Sequence, residues 1–290
     1  MHMKNVAWHR SWPLLALVPL AGLGAALLYG NLVERHHLRD RRVEIEVPGL
    51  PDAFDGYRIV QLSDFHMGGR AWSPSTIRRA VELALSKRGD LIVLTGDFVE
   101  STPAIAACAE LLAPLRAPDG VLAVLGNHDY WNRAVRVHTI VQTLQDLGIR
   151  VLRNESYRLR RDRDDLWIVG LDDAYSGHDY IPKALAGVPQ DAKPLVLSHY
   201  PDLAWRLGPD RWAAVLSGHA HGSQVRLPIV ARYATQHVAK TRFSHGLYEI
   251  NRIPVFVTTG IGTSGRPVRL FARPEVATIV LRAVPAGKRA

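Results

Sequence analysis

Asp64, His66, Asp97, Asn127, His199, His219 and His221 offer carboxylate, carboxamide and imidazole donors with no sulfur among them. Such a set suits Mn²⁺, Fe²⁺/³⁺, Zn²⁺ or Co²⁺ and disfavours Cu⁺ or a thiolate zinc site. It exceeds what one four- or six-coordinate ion with an open position can take, so two divalent ions are implied, manganese first and Fe, Zn or Co as alternatives. In Asp64-x-His66 and His219-x-His221, residues two apart on an extended backbone point the same way, so each pair can reach one centre. Ions about 3.5 to 4 Å apart need a bridging carboxylate, and Asp97 is the economical choice. Such a pair acidifies water, aims it at phosphorus and neutralises the equatorial oxygens of the transition state. His128 and Asp129 directly follow Asn127: His128 is the candidate acid at the leaving-group oxygen and Asp129 the carboxylate that orients its ring.

What positions these residues is a set of apolar runs that each end in a polar side chain. Leu91-Ile92-Val93-Leu94-Thr95 runs into Gly96-Asp97, and Arg58-Ile59-Val60-Gln61-Leu62 into Ser63-Asp64-Phe65-His66. Val121-Leu122-Ala123-Val124-Leu125 runs into Gly126-Asn127-His128-Asp129, residues 195–198 into His199, and residues 213–217 into Gly218-His219-Ala220-His221. Continuous apolar runs read as strands buried on both faces, and ligands of open α/β sheets gather at carboxyl ends of strands. Helical spacing after Ser73-Pro74, over 103–112 and over 134–147 alternates with these strands, the cadence of βαβ units. Residues 43–47 alternate with period two and open the domain, 158–165 read as a charged hairpin turn, and strands over 166–170, 247–250, 253–258 and 276–281 fill the second half.

The ordered blocks Asp64-x-His66, Gly96-Asp97, Gly126-Asn127-His128-Asp129, His199 and Gly218-His219-Ala220-His221 resemble the signature of the calcineurin-like metallophosphoesterases over roughly residues 43 to 282. The resemblance implies an α/β fold, a four-layer α/β/β/α sandwich with a dimetal site at one edge. It also implies that Asp64, His66, Asp97 and His221 hold one ion while Asp97, Asn127, His199 and His219 hold the other. Leu50-Pro51 with Phe54-Asp55-Gly56-Tyr57-Arg58, and Gly260-Ile261-Gly262-Thr263-Ser264 with Pro267-Val268-Arg269, are similar to a bacterial membrane-associated branch that includes UDP-2,3-diacylglucosamine hydrolases. Phe65 stands where that pattern has Leu, and Ser223 where it has a second Gly.

The chain has 290 residues, 47% of them hydrophobic, a formal charge of +9 and a pI of about 9.9. That is enough for one large folded domain, and the charge favours phosphate or anionic lipid; no motif points to a nucleic acid duplex or an obligate protein partner. The lone Cys108 excludes an internal disulfide. Residues 12–30 carry no charge and are about long enough to cross a bilayer. The reading is therefore a tail over 1–11, an uncleaved transmembrane anchor over 12–30, with a cleaved signal peptide as the competitor, a juxtamembrane linker over 31–42 and the phosphoesterase domain over 43–290. Arg35, Arg39, Arg41 and Arg42 after the span outweigh Lys4 and Arg10 before it, which expects a single-pass bacterial inner-membrane protein with a cytoplasmic domain.

Arg70, Arg266 and Arg269, and beyond them Lys240 and Arg242, are candidates for binding substrate phosphate. Trp72 and Trp131 read as core residues or as platforms for a nucleobase or acyl chain, and His9, His36, His37, His138, His178, His237 and His245 as surface or hydrogen-bonded residues. The expected function is a membrane-anchored hydrolase of a phosphate ester or pyrophosphate, with the pyrophosphate of UDP-2,3-diacylglucosamine in lipid A synthesis as the expected substrate. The alternatives are a broad phosphodiesterase on nucleotides or envelope polymers and a non-catalytic membrane scaffold.

Overall fold

The computed structural model describes the backbone of residues 12–131 and 137–285 and the side chains of 21–130 and 137–285. In chain order the elements are α1 (Trp12–Leu32), β1 (Arg39–Pro48), β2 (Arg58–Leu62), α2 (Pro74–Ser86), β3 (Leu91–Thr95), α3 (Ala104–Leu112), β4 (Val121–Val124), α4 (Asn127–Trp131), α5 (Val137–Asp146) and β5 (Ile149–Val151). There follow β6 (Glu155–Arg161), β7 (Asp164–Gly170), α6 (Ile181–Ala184), β8 (Leu195–Leu197), β9 (Ala214–Ser217), α7 (Pro228–Tyr233), β10 (Gly246–Ile250), β11 (Ile253–Val257) and β12 (Glu275–Val284).

Two six-stranded sheets result, with strand orders β1-β12-β2-β3-β4-β5 and β10-β11-β9-β8-β7-β6. The neighbours β2, β3, β4 and β5 run parallel, as do β7, β8, β9 and β11, while β12 lies antiparallel to β2. Every residue of β3, β4, β8 and β9 is buried, the outcome that their unbroken apolar runs demand. One core joins α2, α3 and α5 to the first sheet through residues such as Ile77, Val81, Leu111 and Leu144. A second lies between the sheets around Ile59, Val93, Leu197, Leu216 and Ile279, and a third backs the second sheet around Val196, Leu203 and Val255. Helices, sheet, sheet and short helical turns thus follow one another as layers. Trp72 is half-buried against the helical core, as a packing residue; the side chain of Trp131 and residue His9 lie outside the described residues.

Local chemistry sets several boundaries. Ser73 caps α2 by accepting from the Thr76 amide, with Pro74 at the first helical position. The charged stretch expected to be a turn over 158–165 is mostly strand, because Tyr157, Leu159, Leu166 and Ile168 alternate inward across the β6–β7 pair and only residues 162–163 turn.

The N-terminal expectation needs correction. Among the described residues no helix is long and apolar enough to cross a membrane, so the anchor over 12–30 and the single-pass inner-membrane localisation do not stand. The end of α1 is instead built into the domain. A Cβ on Gly30 would lie 2.6 Å from the Arg269 carbonyl oxygen, and the Arg269 amide donates to Gly30 O at 3.2 Å. Arg35 donates to Asn31 O at 2.6 Å and to Ala71 O at 2.9 Å, while buried Glu34 accepts from the Ala272 amide at 2.8 Å. The linker expected over 31–42 is likewise structured, and β1 already begins at Arg39, paired in parallel with Glu275 of β12.

Candidate metal centre

Each donor sits just past a strand: Asp64 and His66 after β2, Asp97 after β3, Asn127 after β4, His199 after β8, and His219 and His221 after β9. Asp64, His66, Asp97, His219 and His221 all adopt left-handed backbone, with φ of 56°, 47°, 57°, 75° and 52°. Non-glycine residues are held there only by their surroundings, at about 1–3 kcal/mol each. Here the surroundings are the strand ends themselves. The Asp64 amide donates to Gly96 O at 3.0 Å, the Phe65 and His66 amides to Asp97 O at 2.8 and 3.0 Å, and the His219 amide to Asp64 Oδ1 at 3.0 Å. Glycine makes the convergence possible: a Cβ on Gly96 would stand 2.6 Å from the Gly126 nitrogen and 2.8 Å from His199 Nδ1.

Two groups of lone pairs meet at Asp97. On one side His66 Nε2 lies 2.9 Å from His221 Nε2 and 3.4 Å from Asp97 Oδ2, and His221 Nε2 lies 3.4 Å from Asp64 Oδ1. Asp64, His66, Asp97 and His221 are all buried, with one ligand atom each within 4.8 Å of the others. On the other side His199 Nε2 lies 3.1 Å from the same Asp97 Oδ2 and 3.3 Å from His219 Nδ1, which is 2.9 Å from Asn127 Oδ1. Outer partners assign the tautomers. His199 Nδ1 donates to Thr95 O at 2.7 Å, His219 Nε2 to Ala239 O at 2.8 Å, and His66 Nδ1 to Glu100 Oε1 at 2.5 Å. In the neutral rings each remaining nitrogen therefore turns a lone pair inward. Where acceptor faces acceptor, as His219 Nδ1 faces Asn127 Oδ1 at 2.9 Å, the contact is repulsive unless a cation lies between them, and an oxygen and nitrogen donor set fits a divalent ion.

The electrostatics agree. Burial opposes charge on His199, but the adjoining Asp97 carboxylate outweighs it and pushes the pKa up to about 10. Burial, with His199 beside it, drives His219 down to about 3, and burial with His66 holds His221 well below the usual range. Burial would raise Asp97 too, yet His199 and His128 keep it well below, whereas burial raises Asp64. The metal-free pocket is thus a buried anion at Asp97 balanced by a proton that a metal ion would displace.

His128 stands beside the donors, its ring edge-on to His66 at 4.7 Å. Its expected partner is corrected. Asp129 uses both oxygens on backbone, accepting from the Asp97, Phe98 and Gly126 amides at 3.1, 2.9 and 2.9 Å, and so ties two strand-end loops together. Glu100 takes its place: Oε1 lies 2.8 Å from His128 Nδ1 as well as 2.5 Å from His66 Nδ1. Those two histidines outweigh burial and bring Glu100 down to about 2, while Asp97 and Glu100 outweigh burial at His128 and raise it to about 9. Glu100 went unnoticed in the sequence because it follows Asp97 at a distance of three in a loop, where an acidic residue reads as solvated.

The candidate phosphate-binding arginines separate. Arg70 and Arg266 are exposed, on the turn after His66 and on the loop before Arg269. Arg269 is 0% exposed and cannot meet substrate; its guanidinium donates to the carbonyls of Thr259 at 2.9 Å, Ala272 at 2.8 Å and Gly262. The loop it braces lies on Asp64, with the Gly262 amide donating to Asp64 O at 2.7 Å and the Ile261 amide to Ser63 O at 2.9 Å. Of the remaining histidines, His36 bonds Thr76, His178 stacks on Tyr130, His237 stacks on Tyr233 and His245 bonds Ser244.

A family model described as calcineurin-like phosphoesterase matches residues 57–223. The uncharacterized metallophosphoesterase YkuE of Bacillus subtilis is 28% identical over 263 residues, 89% of this chain and 91% of that relative. Phosphodiesterase YaeI of Escherichia coli is 32% identical over 228 residues, 78% of this chain and 82% of YaeI. UDP-2,3-diacylglucosamine pyrophosphatase LpxG of Chlamydia trachomatis is 28% identical over 304 residues, 86% of this chain and 91% of LpxG.

Proposed function

Because the chain belongs to the calcineurin-like phosphoesterases and is a metal-dependent phosphoric ester hydrolase, we propose that it holds two divalent ions and cleaves a lipid-linked phosphodiester or pyrophosphate. Asp64, His66, Asp97 and His221 would hold one ion, and Asp97, Asn127, His199 and His219 the other. The observation that carries this is the single Asp97 Oδ2, 3.4 Å from His66 Nε2 and 3.1 Å from His199 Nε2, shared by both groups of lone pairs. When bound, such ions polarise the phosphoryl group and make water acidic enough to attack it near neutral pH; manganese is our first choice. His128, held by Glu100, supplies the proton to the leaving-group oxygen, and Glu100 keeps it protonated until then. The buried donors count against a non-catalytic scaffold, which has no use for so many inward-facing lone pairs.

For substrate, the likeness to LpxG supports the pyrophosphate of UDP-2,3-diacylglucosamine, and the likeness to YaeI supports a broader phosphodiesterase as second reading. Hydrolysis separates them. The metal-loaded protein is expected to hydrolyse bis-p-nitrophenyl phosphate and to release UMP from UDP-2,3-diacylglucosamine, with metal analysis finding two ions per chain. Diester hydrolysis without UMP release leaves the broader reading, and absence of both refutes hydrolysis by this site.

A further inference from the structure

The chain leaves the metal-donor loop at Gly222 and returns to it at Ala239. On the way out Ser223, at φ 65°, bonds the Thr235 hydroxyl at 2.6 Å; on the way back the Ala239 carbonyl accepts from His219 Nε2 at 2.8 Å. Both ends are thus fastened beside a proposed ligand. Between them α7 has no buried residue, and with the π turn Ala234–Val238 it presents Ile229 (87% exposed), Val230, Tyr233 (62%) and Val238 (69%). Phe271, 62% exposed, lies next to the segment that leads into α7, because an isolated bridge joins Val225 and Leu270: Arg226 N donates to Leu270 O at 2.8 Å and Leu270 N to Gln224 O at 2.7 Å.

A helix on a globular domain normally turns its apolar stripe to the core, and α7 turns it out. Scattered exposed apolar side chains are ordinary, but a cluster of large ones beside a phosphate-handling site marks a binding face. The boundary between cluster and metal centre is cationic. Exposed Lys240 lies 6.0 Å from the Tyr175 ring, which packs at 5.1 Å on His219, and Tyr200, also 5.1 Å from His219, donates to the Lys240 carbonyl at 2.6 Å. From the proposed ligands outward the order is therefore imidazole, cation, hydrocarbon. An amphiphile with a phosphate head and apolar tail matches that order, whereas a nucleotide or sugar phosphate would leave the outer part unused.

We propose that residues 228–238 with Phe271 form the subsite for the acyl chains of an acylated phosphate ester, with Lys240 at its polar boundary. The inference rests on the lipid-linked reading above and locates it. The test uses the full-length, metal-loaded protein and a UDP-diacylglucosamine with short, six-carbon chains, kept below the concentration at which it forms micelles. Its kcat/KM, read as UMP release, is compared with that of UDP-N-acetylglucosamine. The wild type is expected to prefer the acylated substrate; Ile229→Ser combined with Tyr233→Ser should cut that preference about tenfold, the scale of losing part of a buried aliphatic contact. Leu247→Ser, an apolar truncation on β10, should leave the preference intact. An unchanged preference in the double variant, or an equal loss in Leu247→Ser, overturns the subsite. So does a preference that arises only when anionic vesicles are added, which would assign this face to a bilayer surface. Absence of UMP from the acylated substrate in the wild type is the separate failure of the lipid-linked reading.

Discussion

At Asp97 one carboxylate does two jobs with two oxygens. Oδ2 faces both groups of imidazoles, and Oδ1 accepts from the His128 amide at 2.9 Å. Asp97→Asn keeps the shape and removes the charge that balances His199. It should lower metal content and reduce turnover by more than the roughly 10- to 100-fold typical of outer-shell changes; wild-type metal content would sink the bridging assignment. His128→Ala should keep both ions and lose about 10²- to 10⁴-fold in rate. Glu100→Gln is the sharper test. Asp97 and Glu100 raise His128 to about 9, so without the Glu100 charge its folded pKa falls and the protonated form disappears at lower pH. The alkaline limb of the kcat profile should shift to lower pH, whereas a merely structural Glu100 would scale the profile down without moving it.

Among the elements, the braced loop over 259–262 connects the far parts of the chain to the metal centre. Its amides hold the backbone of Ser63 and Asp64, its carbonyls are held by Arg269, and Arg269 in turn meets Gly30 at the end of α1. Lys cannot reproduce a guanidinium that serves several carbonyls at once. Arg269→Lys is expected to weaken metal affinity and lower the unfolding temperature of the metal-free protein, with little change in KM; a raised KM at unchanged metal affinity would return Arg269 to substrate binding. This loop also shows where sequence stops being informative. The strand ends were readable because buried parallel strands announce themselves as apolar runs, and their last residues were the polar ones: Asp64, Asp97, Asn127, His199 and His219 all sit where those runs predict. Glu100 and Arg269 were not readable. Charged residues are almost always solvated, and only the fold reveals that one spans two histidines and the other is wholly enclosed. The end of α1 misled for a related reason: an uncharged run does not show in sequence where it meets the domain, and in the structure Gly30 meets Arg269 while Leu23, Leu27, Leu28 and Leu32 stay exposed.

On the scale of the molecule, the proposed ions would stitch the two sheets together, since Asp64, Asp97 and Asn127 follow strands of the first and His199, His219 and His221 follow strands of the second. Without metal that seam is closed by weaker means, such as the Gln61 side chain donating to Ser217 O at 3.0 Å and His199 donating to Thr95 O. A ligand at 100 times its Kd stabilises the native state by about 2.7 kcal/mol, which for a domain of this size raises Tm by roughly 5 to 10 °C. The pH dependence has a definite sign. His199 has a folded pKa of about 10 in the metal-free protein, raised over its unfolded value, so its contribution to stability is complete below about pH 6.5 and is lost as pH rises toward 10. Metal binding requires that same proton to leave, so it is opposed at low pH and released from competition at high pH. The metal-free Tm should therefore decline from pH 6.5 to 9 on His199's account while the gain in Tm on adding Mn²⁺ grows. His199→Gln, which has no proton to displace, should bind Mn²⁺ more weakly and with a Tm gain that varies less with pH over the same range. A wild-type gain that is constant between pH 6.5 and 9, measured by scanning calorimetry at fixed free Mn²⁺, would remove His199 from the set of ligands.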